Sequence, residues 1–183
     1  MEFNKKNTTI YILSGKAKSG KNMASEIITN YHKDKKCLSI SYTYYLKDYI
    51  KRITGWNGKE ETKPRELLQQ IGIELIKNKI NDKLFINRLL EDIEVFSYFY
   101  DIIVVTDARL IEEIEIPKQK LQNVITIRIN RDNIDNNLTY EQKNHITEIE
   151  LDNYNNFDYI IDNNKTYEDL EKEIIKILEV EYE

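Results

Sequence analysis

With 183 residues and a formal net charge of −5, the chain is sized for one domain and lacks the basic excess of a general nucleic-acid binder. Its 40% hydrophobic, 32% charged and 10% aromatic residues describe a globular protein with enough apolar content to bury a core, not a disordered one. Cys37 is the sole cysteine, which excludes an internal disulfide framework and a cysteine-based zinc cluster and fits a reducing, cytoplasmic setting.

Thr8–Leu13 is a β-branched and aromatic run that predicts a strand, and helical spacing follows a glycine-containing turn from Asn22 to Tyr31. Cys37–Ile40 predicts a second strand, and Leu46–Ile53 a helix. Gly55-Trp56-Asn57-Gly58 reads as a loop in which Trp56 is a partly buried anchor; a base-stacking role is the sharper alternative. Pro64 stands where a first-turn proline belongs, and the helix predicted after it runs from Arg65 to Ile80. Another helix is expected over Leu84–Phe99. Ile102–Val105 is an uninterrupted apolar run, as in a strand covered on both faces, and is expected to end at Thr106-Asp107. Val124–Ile127 and Tyr159–Ile161 predict two further strands, separated by a polar stretch from Asn130 to Asn144. A last helix, Thr166–Leu178, opens with Thr166 and Asp169 as a capping box. No apolar run reaches the roughly 18 residues of a membrane-spanning helix, and no signal peptide is visible, so no membrane partner is expected.

Strands alternating with helices imply right-handed crossovers and a five-stranded, mostly parallel sheet in a three-layer α/β fold. Ligands of such sheets bind at the carboxyl ends of the strands, here Ser14-Gly15, Thr106-Asp107 and Arg128 onward.

The first of these ends, Gly15-Lys16-Ala17-Lys18-Ser19-Gly20-Lys21-Asn22, nearly fits the phosphate-loop pattern G-x-x-x-x-G-K-[ST], with a strand before it and a helix after. Glycines let backbone N–H groups wrap a phosphate, the helix start adds partial positive charge, and Lys21 would reach the outer phosphates. Gly15, Ala17, Lys18, Ser19, Gly20, Lys21, Asn22 and Met23 are therefore the candidate residues for ATP. Asn22 stands where a hydroxyl normally meets Mg²⁺; its amide oxygen and the Asp107 carboxylate are the candidate metal groups, with a water-mediated metal as an option. Asp107, after four apolar residues, has the outline of a Walker-B acid, and Arg109 offers a planar fork for a phosphate. Both also admit plainer roles, Asp107 as a helix cap and Arg109 as the partner of Glu112 or Glu113.

Ser14 to Lys21 resembles the start of phage- and bacterial-type deoxynucleoside monophosphate kinases, and equally that of eukaryotic-type phosphomevalonate kinases, which share the fold. Further similar blocks follow in order: Leu46-Lys47, Arg65 to Glu74, Thr106 to Arg109, His145 to Glu148, and Phe157 to Asn163. Asn22 replaces the usual Asp, Ile73 replaces Thr, and Phe85 stands where Trp is common. The resemblance implies a P-loop NTPase fold over 1–183, with an acceptor-binding helical region at about 44–98 and a lid at about 130–147. It implies that Lys47, Arg65 and Gln69 lie on the acceptor side, and that adenine is held by the lid side and the C-terminal segment near Asn163; Asp107 and Arg109, by their own chemistry, are further candidates for the acceptor. Solvated helix charge is the plainer reading of Lys47 and Arg65.

Lys21, Asp107, Arg109 and Arg131 are thus the expected catalytic set, with Lys143 as a second lid cation and Arg128 as an in-strand arginine that snorkels. His145 and Glu148 admit either a two-ligand metal site or a local bond at a helix start; with His32 the only other histidine, further ligands are lacking. The expected reaction is transfer of a phosphoryl group from MgATP to a small phosphorylated acceptor. A (deoxy)nucleoside monophosphate leads, phosphomevalonate is the alternative, and a nucleotide-binding module with little catalysis comes from a different class. A homodimer is compatible with the chain, and dephospho-CoA kinase is disfavoured because no acidic pair follows the second strand.

Overall fold

A computed structural model describes residues 3–132 and 138–182. Five parallel strands, β1 (Thr9–Ser14), β2 (Cys37–Ile40), β3 (Ile102–Ala108), β4 (Val124–Asn130) and β5 (Tyr159–Asp162), lie in the order β2-β3-β1-β4-β5. The central strands β3 and β4 run further than their apolar cores suggest, to Ala108 and Asn130. Parallel pairing continues through polar Arg128, which is opposite Ser14 on one side and Ile160 on the other. Residues that looked like the start of loops thus belong to the sheet's carboxyl edge.

Alternation along β1 divides the core. Tyr11 and Leu13 pack with α1 (Lys21–Tyr31) and α8 (Tyr167–Tyr182), through Ala24, Ile27, Ile28, Leu170, Ile174 and Leu178. Ile10 and Ile12 turn to the other face, toward Ile86, Leu89 and Ile93 of α4 (Leu84–Phe96) and Ile114 of α5 (Ile111–Lys120). The period-two switch of side chains makes β1 apolar on both faces, so helices must cover both. At the start of α8, Thr166 and Asp169 exchange the capping bonds expected of them.

A separate apolar cluster unites α2 (Tyr44–Thr54) with the segment after Pro64: Leu46, Ile50, Leu68 and Ile76 are buried together, with Trp56 half-buried at its edge. The Trp56 indole N–H donates to the Lys59 carbonyl at 3.1 Å. The helix predicted from Arg65 to Ile80 is α-helical only in α3 (Arg65–Gln69); from Gln70 to Ile80 it widens to a π-helix. Gly72 accounts for the close packing there, because an added Cβ would sit 2.9 Å from Leu46 Cδ2. The helix α4 stops at Phe96, three residues earlier than predicted.

α5 carries Pro117 in its interior, where the ring removes one N–H from the helical ladder. The carbonyl four residues earlier, that of Glu113, is satisfied instead by the Tyr42 hydroxyl at 2.6 Å. Two short helices, α6 (Tyr140–Lys143) and α7 (Ile146–Ile149), follow β4. Of the expected lid, residues 133–137 lie outside the described residues.

Candidate active site

β1 delivers the chain into a turn at Gly15 that ends on the first residue of α1, Lys21. Gly20 adopts φ 109° at the helix start, a conformation that L side chains rarely take, and a Cβ there would collide with the Asn163 side chain. Asn163, buried just beyond β5, donates its amide to the Ser19 carbonyl at 2.9 Å. The loop is therefore held from outside by the β5–α8 turn. Asn163 thus acts on the loop's backbone.

Lys21 folds back over the loop and donates to the carbonyls of Gly15 and Lys16, each at 2.7 Å. Burial lowers its pKa from 10.5 to about 7, and the positive charges of Arg109 and Arg128 push the same way; Glu148 and Asp107 oppose them. Lys21, Arg109, Asp107, Glu148 and Arg128 thus share one electrostatic site. Ser19 is buried, and its hydroxyl has no hydrogen-bond partner among the described residues. An unsatisfied buried hydroxyl inside a loop of N–H groups is the kind of group a phosphate oxygen would satisfy. Of the other loop residues, Ala17 is buried, Lys18 takes φ 62°, Asn22 is exposed, and Met23 packs against the core.

Asp107 does not cap the helix that follows it. Its carboxylate accepts from the Tyr42 N–H at 2.8 Å and from the Thr43 N–H and hydroxyl at 3.3 and 2.6 Å, which pins the start of α2 to the end of β3. Glu113 takes the capping role instead, accepting from the N–H groups of Arg109 at 2.6 Å and Leu110 at 3.1 Å. Half-buried as a residue, Glu113 keeps its carboxyl beneath this turn; burial raises its pKa from 4.5 to about 8, and the nearby Asp107 charge adds to the rise. The side chain of Arg109 pairs with neither Glu112 nor Glu113 but with Glu148 of α7, at 2.6 Å.

The same Glu148 carboxylate accepts from the Ala17 N–H of the phosphate loop at 3.3 Å. Asp152, one turn on, bridges Lys16 at 2.7 Å and Arg128 at 3.4 Å. Arg128 is buried and donates to Ser14 at 3.0 Å, so it is part of the site and does not snorkel outward. Arg131 is exposed beyond β4, and Lys143 is exposed at the end of α6. His145 caps α7 through Thr147 and makes no metal cluster; among the described residues no group of His, Cys, Asp or Glu is arranged to hold a metal ion.

On the α2–α3 side, Lys47 and Gln69 are half-buried, and Arg65 pairs with Glu60. Lys63, which the sequence reading passed over, also pairs with Glu60, at 3.1 Å. Its pKa is lowered by burial first, then by Lys47 and Arg65, while Glu60 opposes. Lys63 and Arg65 thus share one carboxylate, and the charge of Lys47 reaches Lys63.

A family model for deoxynucleotide monophosphate kinases matches residues 32–174. The chain belongs to that family. The matched span begins after the phosphate loop, so the loop's geometry is an independent observation. As a member of this family the chain is a kinase, a phosphotransferase on a nucleotide-binding P-loop fold. Solved structures agree on the fold. A sugar kinase from Janibacter sp. HTCC2649 matches with a TM-score of 0.57 at 9% identity, over 94% of this chain and 95% of that one. Shikimate kinase from Bacteroides thetaiotaomicron matches at 0.56 and 11%, over 93% and 98%. Shikimate kinase from Acinetobacter baumannii, in complex with shikimate, matches at 0.53 and 13%, over 94% of each. No curated protein sequence matches the chain. Among the described residues no helix is long and apolar enough to cross a membrane.

Proposed function

We propose that this kinase moves the γ-phosphoryl group of ATP onto the phosphate of a deoxynucleoside monophosphate. The observation that carries the reading is the convergence of Lys21, Arg109 and Arg128 at the carboxyl ends of β1, β3 and β4. Phosphoryl transfer needs little covalent help from a protein; it needs positioning and positive charge where the transferring group's charge spreads. An acceptor phosphate oxygen attacks the γ-phosphorus as the bond to the β-phosphate oxygen breaks, and ADP leaves. Loop N–H groups and the Ser19 hydroxyl would hold the phosphates, Lys21 would leave its two carbonyls for their oxygens, and Arg109 would stabilise the moving group. Arg131 would add charge on lid closure, which also excludes water.

Mg²⁺ fits the site in a restricted way. Asp107 already accepts three hydrogen bonds, which leaves about one of its four lone-pair positions for a metal-bound water. Asn22 is exposed on the first turn of α1 and offers a neutral oxygen. These two would hold the hydrated ion, and the ion would supply charge neutralisation between the phosphates.

Lys47, Lys63, Arg65 and Gln69 would bind the acceptor, its phosphate taking the place Glu60 now holds between Lys63 and Arg65. The test is steady-state kinetics of Arg65→Ala with a deoxynucleoside monophosphate acceptor. The acceptor KM should rise by about tenfold or more, with the ATP KM nearly unchanged, since one lost charge-assisted bond is worth roughly 1.5–3 kcal/mol. A rise confined to the ATP KM would refute this placement of the acceptor.

A further inference from the structure

We propose that Glu148 is a built-in phosphate surrogate, which occupies the nucleotide phosphate site of the empty enzyme and is displaced when nucleotide binds. The inference rests on the reading of residues Gly15–Lys21 as the phosphate loop. Its basis is the pair of contacts a single carboxylate makes. One Glu148 oxygen accepts from the Ala17 N–H at 3.3 Å, an amide of the loop itself. The other accepts from Arg109 at 2.6 Å. The Glu148 side chain is only 10% exposed and Arg109 21%, so the pair is shielded from solvent and salt. Lys21 lies close enough to feel the Glu148 charge, alongside Arg109 and Arg128. A carboxylate that touches a loop amide and the site arginine, and faces the loop lysine's charge, satisfies the same donors that a phosphoryl oxygen would use.

Two consequences follow from this position. In the empty enzyme Glu148 offsets positive charge that would otherwise repel itself across Lys21, Arg109 and Arg128. On nucleotide binding the phosphates and the carboxylate cannot share the Ala17 amide, so Glu148 must withdraw. Glu148 sits on α7, and Asp152 on the turn after it holds Lys16 and Arg128. Loading the loop therefore releases one of the attachments that fix the α7 segment against the sheet edge, and frees Arg109 for the transferring group. Glu148 acts as a positioning residue: it keeps Arg109 in place before substrate arrives and delays its engagement until then.

The experiment is titration calorimetry of wild type and Glu148→Gln with two probes, metal-free ADP and MgATP, with thermal melts of both proteins. Gln keeps the shape and loses the charge. If the charged surrogate holds about nine-tenths of the empty enzyme closed, its loss should tighten both probes by about tenfold, because apparent affinity scales with the competent fraction. Glu148→Ala, which removes the acceptor as well, should tighten them at least as much and guards against an effect peculiar to Gln. Unchanged affinity for both probes would overturn the surrogate role. Weaker MgATP binding with unchanged ADP binding would overturn it in favour of a metal-ligand role. Weaker binding of both would overturn it by making Glu148 a support of the loop. If wild type bound neither probe, the phosphate-loop reading itself would fail, a result distinct from these.

Discussion

The Asn163 side chain donates to the Ser19 carbonyl at 2.9 Å, tying the turn after the edge strand to the middle of the phosphate loop. The pair is 144 residues apart in sequence, and both are buried. Removing the amide would leave the Ser19 carbonyl without this donor in a site closed to water. Asn163→Ala should therefore cost about 1–3 kcal/mol in urea denaturation, the usual penalty for orphaning a buried polar group. It should also weaken ADP binding, since the loop loses its outer brace. A variant as stable as wild type would show that the loop does not depend on this tether.

Lys21 makes nucleotide binding proton-linked. With a pKa near 7 in the empty enzyme, it is mostly neutral at pH 8. Polyphosphate beside it favours the charged form and moves the pKa back toward 10.5. Binding of metal-free ADP at pH 8 should take up about one proton, read from calorimetry in buffers of different ionisation enthalpy. No uptake would mean that Lys21 is already charged in the empty loop.

The same shift has a stability consequence. The folded-state pKa of Lys21 lies below its unfolded value, so the unfolded chain binds the extra proton between about pH 7 and 10.5. Its burden on the fold is largest below about pH 7 and fades as pH rises through that window. Glu113 has the opposite sign: its folded pKa, about 8, exceeds the unfolded 4.5. Its stabilising contribution is full below pH 4.5 and lost as pH rises toward 8. Glu113→Gln should gain on the order of 1–2 kcal/mol relative to wild type at pH 8.5 and little at pH 4.5, by chemical denaturation at both values. An equal effect at both would place a charged carboxylate at this turn throughout.

Tyr42 and Pro117 should be coupled. The Tyr42 hydroxyl serves the Glu113 carbonyl that Pro117 leaves without a helical donor. Tyr42→Phe should cost about 1–3 kcal/mol on its own and clearly less in a Pro117→Ala background, where the helix regains its own N–H. A double-mutant cycle measures this directly. Additive effects would mean that the carbonyl finds another donor.

Much of the fold could be read from local patterns. The β1 run, the glycine spacing from Gly15 to Gly20 and the Thr166/Asp169 cap all appear where residue chemistry places them. α5 was hidden because Pro117 breaks its pattern, and the donor that makes the proline tolerable, Tyr42, is remote in sequence. The π-helical turns after Gln70 share their apolar residues with an ordinary α-helix, so spacing alone could not reveal them. At the site, Lys21 and Arg109 follow from motif and strand end. The groups that meet them and the loop from elsewhere, Glu148 on Arg109 and Ala17, Asp152 on Lys16 and Asn163 on Ser19, come from α7, the turn after it and the turn after β5, and reach the loop only in the folded chain. Arg128 was misjudged because an arginine within a strand usually snorkels; here Ser14 and Asp152 give its head group partners while it stays buried.

The most direct test of the central claim is ADP formation from MgATP against a panel of ribo- and deoxynucleoside monophosphates, phosphomevalonate and dephospho-CoA, with Lys21→Ala as control. The account predicts turnover with one or more deoxynucleoside monophosphates, lost by several orders of magnitude in the Lys21 variant. Turnover with phosphomevalonate alone would contradict the proposed acceptor while leaving the kinase. Tight ATP binding with no acceptor-dependent ADP from any member of the panel would contradict phosphotransfer to every acceptor tested.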